Sequence, residues 1–137
     1  SRFLTPADVK TIAFGTIQKV YVALDAENRT LANPSSMDFI AVAGTIEDHA
    51  SNLPLAASKA LQIVDNLRYM LGIELMHAAQ AVDLRGNPAL GKTTGALYTA
   101  YRAQVPFYAE DRNLSIDIQK SYDFIRGGAL ERLLGAD

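Results

Sequence analysis

The chain has 137 residues, 49% of them hydrophobic and 20% charged, with no Cys, no Trp and a formal net charge of -2. That length suits one domain, and the apolar fraction excludes wholesale disorder. The lack of Cys excludes disulfide scaffolds, thiolate metal sites and cysteine nucleophiles, and fits a reducing compartment such as the cytoplasm. The charge supplies no basic field for nucleic acid, and no apolar run approaches the ~18 residues of a membrane span.

Ser1-Arg2-Phe3-Leu4 has neither an initiator Met nor a signal-peptide pattern, so the chain is either processed or cut from something longer. Thr5 as N-cap, Pro6 at the first helical position and Asp8 as a capping-box partner predict a first helix. Its apolar positions are Val9, Ile12, Ala13, Ile17, Val20, Tyr21 and Leu24, and the pattern weakens around residues 25–28.

Residues 29–52 read as an unusually long connection with turn chemistry at Asn33-Pro34-Ser35-Ser36. The apolar run from Phe39 to Gly44 predicts a short buried extended piece.

The dominant element is a helix from Leu53 to about Leu84, capped by Ser51 or Asn52, with Pro54 in its first turn. Ser58, Lys59, Gln62, Asp65, Asn66, His77, Gln80 and Asp83 fall on one narrow polar arc. The rest of its surface is apolar and needs several neighbours, which implies oligomerisation or a missing domain. Arg68, Glu74 and Arg85 project from the apolar side, as a site or switch, or as ion-pair partners and a snorkelling end.

Gly86-Asn87-Pro88 stops this helix. Further helices are predicted over residues 94–104, ended by Pro106, and over residues 115–125, with Asp117 in the first turn and Gly127-Gly128 beyond. The tail 130–137 has room for one more turn. The class is all-α: a long core helix plus three or four shorter ones.

Three motifs invite chemistry. Residues 86–93 spell GxxxxGKT, but they follow a helix where a phosphate-binding loop follows a strand, so they read as a linker. Glu74 and His77 have the ExxH spacing of di-iron bundles, without the second copy such sites require, and a solvent-facing His77 is expected. Glu47-Asp48-His49 immediately precedes the long helix. These residues suit ordinary capping near a helix dipole, or Glu47 points into a cleft as a base or a substrate-amine anchor.

Thr45-Ile46-Glu47-Asp48-His49-Ala50-Ser51 resembles the Asn-Gln-Glu-Asp-His-Val-Ser stretch of histidine ammonia-lyases. The likeness extends upstream through Ala26-Glu27-Asn28 and residues 33–38. Downstream it runs through Asp65-Asn66-Leu67-Arg68, residues 73–85, Arg102–Phe107, Glu110-Asp111-Arg112 and Asp117-Ile118.

The resemblance implies the C-terminal, helical portion of a tetrameric lyase roughly four times this length. Such enzymes remove ammonia from histidine or an aromatic amino acid to leave an α,β-unsaturated acid. Their methylidene-imidazolone electrophile forms from an internal Ala-Ser-Gly in the N-terminal half, which also carries a catalytic Tyr. This chain has no such triplet; Ala50-Ser51-Asn52 is a near miss at an unrelated place.

By resemblance, Glu47 matches the active-site Glu of histidine-specific members. Thr45 and Ile46 replace the Asn-Gln pair that lines the cofactor pocket, which removes two orienting amides. Arg68 and Glu74 become partners between helices or subunits. The implied partners are the remainder of the lyase chain or further copies, with no nucleic acid, membrane or metal. The chain alone is expected to be inactive. The alternatives are a stand-alone, non-catalytic helical assembly module or one subunit of a split lyase.

Overall fold

The structure, a computed structural model, describes residues 3–37 and 39–135. Asp38, within the resemblance, and the last two residues of the tail lie outside them, as do Ser1 and Arg2. Five α-helices are present among the described residues: α1 (Ala13–Leu31), α2 (Leu53–Leu84), α3 (Lys92–Arg102), α4 (Leu114–Arg126) and α5 (Ala129–Leu134). No helix is long and apolar enough to cross a membrane. The chain divides into two compact units, Ala23–Leu67 and the pair of segments Ser1–Val22 and Arg68–Asp137.

The bounds of α2 match the sequence reading, and those of α3 and α4 lie within about two residues of it. The first helix does not start at Thr5. Its onset is at Ala13; ahead of it, Gln80 Nε2 donates to the Leu4 carbonyl at 3.1 Å, and Leu4 has a φ of 53°. The Val9 amide then closes a separate turn onto the Pro6 carbonyl. At its other end α1 runs through residues 25–28, where the pattern weakened. The Arg29 Nε–Asp25 Oδ2 pair (2.9 Å) spans one helical turn, and the Thr30 hydroxyl bonds the Ala26 carbonyl.

In the two-segment unit, Phe14, Ile17, Ile73, Met76, Ala79, Tyr101, Val105, Tyr108, Leu114 and Phe124 form the core. Gln80, 1% exposed, lies among them. Besides Leu4 it serves Tyr108 twice, donating to its carbonyl (3.1 Å) and accepting from its amide (3.0 Å). A buried amide side chain is tolerated because its donors and acceptor are matched. Ser121 donates its one hydroxyl proton to the Asp117 carbonyl, so the Tyr101 hydroxyl is the donor in its 2.7 Å bond to Ser121. Burial pushes Tyr101 up to about 12, which keeps that donor protonated. Arg112 joins the connection before α4 to that helix by pairing with buried Asp117 (2.9 Å) and donating to the carbonyls of Pro106 and Phe107.

The polar arc of α2 is not a solvated face. Asn66 and Gln80 are buried, and His77 is half-buried against the edge of the Phe14 ring. The expectation of a solvent-facing His77 therefore fails: its Nδ1 bonds the Ile73 carbonyl at 2.7 Å, within its own helix. The exposed side of α2 is instead apolar, including Leu55, Leu61, Val64, Leu67 and Leu71.

Gly72 marks the closest approach of α2 to α4. A Cβ there would lie 3.0 Å from the Ser121 carbonyl carbon and the Tyr122 nitrogen. Gly→Ala inside a helix ordinarily stabilises by about 1 kcal/mol. Here the obstruction is backbone, and overpacking of that kind costs about 1–3 kcal/mol. Gly72→Ala is expected to lower the melting temperature in a thermal unfolding scan; a raised melting temperature would show that the two helices separate freely.

Candidate functional site

The residues singled out by sequence lie in the smaller unit, on the connection between α1 and α2. Phe39–Gly44 is not the buried extended piece that its composition predicted. Ile40 is 83% exposed, and only Val42 pairs, through an isolated antiparallel bridge to Glu47. The Val42 amide donates to the Glu47 carbonyl at 2.9 Å, and the Glu47 amide returns to Val42 at 3.3 Å.

Between these two residues the backbone makes a left-handed turn, with φ of 52° at Ala43, 65° at Gly44 and 72° at Thr45. Only Gly adopts that region without cost, and successive L-residues in it are rare. A β-branched residue there is a genuine outlier. Strain of this kind is kept where surrounding structure determines it, and it concentrates at functional sites. Thr45, Ile46, Glu47, Asp48 and His49 are all exposed on this turn and its continuation, Ile46 by 86%. Ile40 and Met37 are exposed apolar residues of the same connection.

The turn is anchored by residues that sequence reasoning placed elsewhere. Ser35 is buried in a short 3-10 turn. Its carbonyl accepts from the Asn52 side-chain amide at 2.7 Å, so Asn52, read as a cap, ties the two ends of the connection together. Lys59 donates to the Asn33 carbonyl and, at 3.2 Å, to the Ser35 hydroxyl. Asn66 holds the end of α1 by donating to Asn28 Oδ1 (2.9 Å) and Glu27 Oε2 (3.1 Å). The available signal was the polar arc itself, because Lys59 and Asn66 both belong to it.

The other motifs do not assemble chemistry. Glu74 accepts from the Tyr21 hydroxyl at 3.3 Å, beside a cavity of about 290 Å³, whereas His77 bonds its own helix. No three His, Asp or Glu side chains converge as a metal site among the described residues. Gly86–Gly91 is a linker between two helices, in which the Asn87 side chain lies 2.9 Å from the Tyr98 hydroxyl. In Ala50-Ser51-Asn52 the Asn52 side-chain amide is committed to the Ser35 carbonyl.

A family model described as aromatic amino acid lyase matches residues 1–103. A histidine ammonia-lyase of Treponema denticola is 43% identical over 108 residues, which cover 79% of this chain and 21% of that protein. The crystal structure of an ergothioneine-degrading enzyme, ergothionase, also from Treponema denticola, is 64% identical with a TM-score of 0.88, covering 93% of this chain and 26% of that one. The structure of a histidine ammonia-lyase from Trypanosoma cruzi superposes with a TM-score of 0.90 at 28% identity, covering 97% and 26%. The chain spans about a quarter of the length of the curated relatives it matches.

Replacing Thr45 by Asn, which tolerates a left-handed backbone better, tests the strain in the turn. Thr45→Asn is expected to slow hydrogen exchange at the Val42 and Glu47 amides by roughly fivefold, the equivalent of about 1 kcal/mol. Unchanged or faster exchange would mean that the turn stores no strain.

Proposed function

The chain belongs to the aromatic amino acid lyase family, and we propose that it is the C-terminal part of a carbon–nitrogen lyase acting on a histidine-derived betaine of the ergothioneine type. The observation that carries the substrate class is a contrast within one organism. The chain is 64% identical to the ergothionase of Treponema denticola and 43% identical to a histidine ammonia-lyase of the same organism.

The chemistry at residues 45–47 supports this reading. Ergothioneine carries a trimethylammonium group where histidine carries an ammonium. That cation has no N–H to donate, so it is held by charge and by contacts to its methyl groups. Glu47 supplies the opposite charge. Thr45 and Ile46, in place of two amides, offer methyl groups and one hydroxyl. In the elimination a base takes the β-proton, the Cα–N bond breaks, and the nitrogen leaves with the bonding pair as neutral trimethylamine. An α,β-unsaturated acid remains. The leaving group needs no proton, because it departs as a neutral amine.

The electrophile of the family belongs, in this reading, to a part of the lyase outside this chain, and the chain by itself is inactive. The exposed leucines of α2 and the exposed Ile46 beside Glu47 lie, in this reading, against that remainder or against neighbouring subunits. A cytoplasmic setting is expected from the Cys-free composition.

The second reading is histidine itself, favoured by the histidine ammonia-lyases at 36–43% identity. The complete protein that contains this chain distinguishes the two readings. Offered ergothioneine and histidine in parallel, it is expected to release trimethylamine from the first and little ammonia from the second. Glu47→Gln is expected to slow turnover about a hundredfold, the scale of losing one well-placed charged group. Ammonia from histidine without trimethylamine from ergothioneine would return the chain to the histidine reading. Turnover by the isolated 137 residues would contradict the proposal.

A further inference from the structure

The connection that presents Glu47 is closed at its base. Ser35 at one end and Asn52 at the other are joined by the 2.7 Å bond from the Asn52 amide to the Ser35 carbonyl. Lys59, one and a half turns into α2, reaches the same place from the helix side, donating to the Asn33 carbonyl and the Ser35 hydroxyl. Ser35 is buried, so the two bonds it receives are partly shielded from competing water, whereas the bond to Asn33 is exposed. Residues 36–51 therefore form a loop whose ends meet, the arrangement of a compact functional loop. Asn52 has a second role there: its φ of 48° lies in the left-handed region, which Asn tolerates, and this bends the chain into the start of α2.

We infer that Ser35, Asn52 and Lys59 form a latch of positioning residues that fixes the Glu47 turn relative to the reacting substrate. The inference rests on the reading of Glu47 as a substrate-contacting acid. Its physical basis is leverage. The turn has one internal bridge, Val42 to Glu47, which sets its shape but not its placement. Placement comes from the base, where a charged ammonium on a long rigid helix holds a carbonyl and a hydroxyl. Displacement of a catalytic group by about 1 Å can cost a hundredfold in rate.

The test uses the complete lyase and whichever of ergothioneine and histidine it turns over. Lys59→Met and Ser35→Ala are each expected to lower kcat by about tenfold to a hundredfold. The double variant Glu47→Gln/Lys59→Met is expected to be no slower than Glu47→Gln alone, because misplacing an absent carboxylate has no further effect. A merely structural lysine would instead give additive losses. Asn52→Gly keeps the left-handed backbone and removes only the amide. It is expected to reproduce the loss even if Lys59→Met folds poorly, with faster hydrogen exchange confined to residues 36–51. Arg29→Ala, which breaks an exposed pair on α1, is expected to leave kcat unchanged. Impaired Glu47→Gln with unimpaired latch variants, or additive losses, overturns the latch alone. Full activity of Glu47→Gln overturns both the site reading and the latch that rests on it.

Discussion

The structure depends on one stripe of α2 and on the direction it faces. Lys59, Asn66 and Gln80 recur at multiples of seven residues, with Asp83 three further on, so all four share a face of the helix. Each reaches a different segment of chain. Lys59 holds residues 33 and 35, Asn66 holds the end of α1, and Gln80 holds Leu4 and Tyr108. Asp83 pairs with Arg102 at 2.5 Å and accepts from Tyr98, whose hydroxyl is thereby held above its ordinary range. Such groups add little net energy when paired but cost about 1–3 kcal/mol when a buried partner is left unmatched. They therefore select one arrangement of the segments more than they stabilise it.

The opposite side of α2 carries the complementary consequence. Leucines such as Leu61, 71% exposed, and Leu71 face outward there. The polar groups of α2 bond other segments alongside its core residues Ile73, Met76 and Ala79. The chain matches about a quarter of each curated relative. On the connection that carries Glu47, Met37, Ile40 and Ile46 are exposed as well.

Local signals made the later helices legible. Proline and glycine stops, helical periodicity and Asp117 in a first turn bound α2, α3 and α4 closely. The start of α1 was not legible: no helix follows the capping signal at Thr5, and Leu4 beside it is bonded by a glutamine 76 positions away. The direction of the polar arc was equally hidden, because periodicity shows that a stripe exists but not whether water or protein lies against it. At the site, Glu47 stood out through its resemblance to a family motif. Its turn did not, because three successive left-handed residues at Ala43, Gly44 and Thr45 contradict the apolar, strand-like composition around them. Lys59 was read only as part of the polar arc and Asn52 as a cap, because their partner, Ser35, is remote in sequence.

The central claim is that the latched turn of α2's neighbouring connection brings Glu47 to a cationic, histidine-derived substrate. A crystal structure of the complete protein with a non-reactive ergothioneine analogue tests it most directly. The account requires the Glu47 carboxylate in contact with the bound analogue, Ile46 against its methyl groups, and Lys59 still bonded to Ser35. An analogue bound elsewhere, with the turn of residues 42–47 facing solvent, would contradict it.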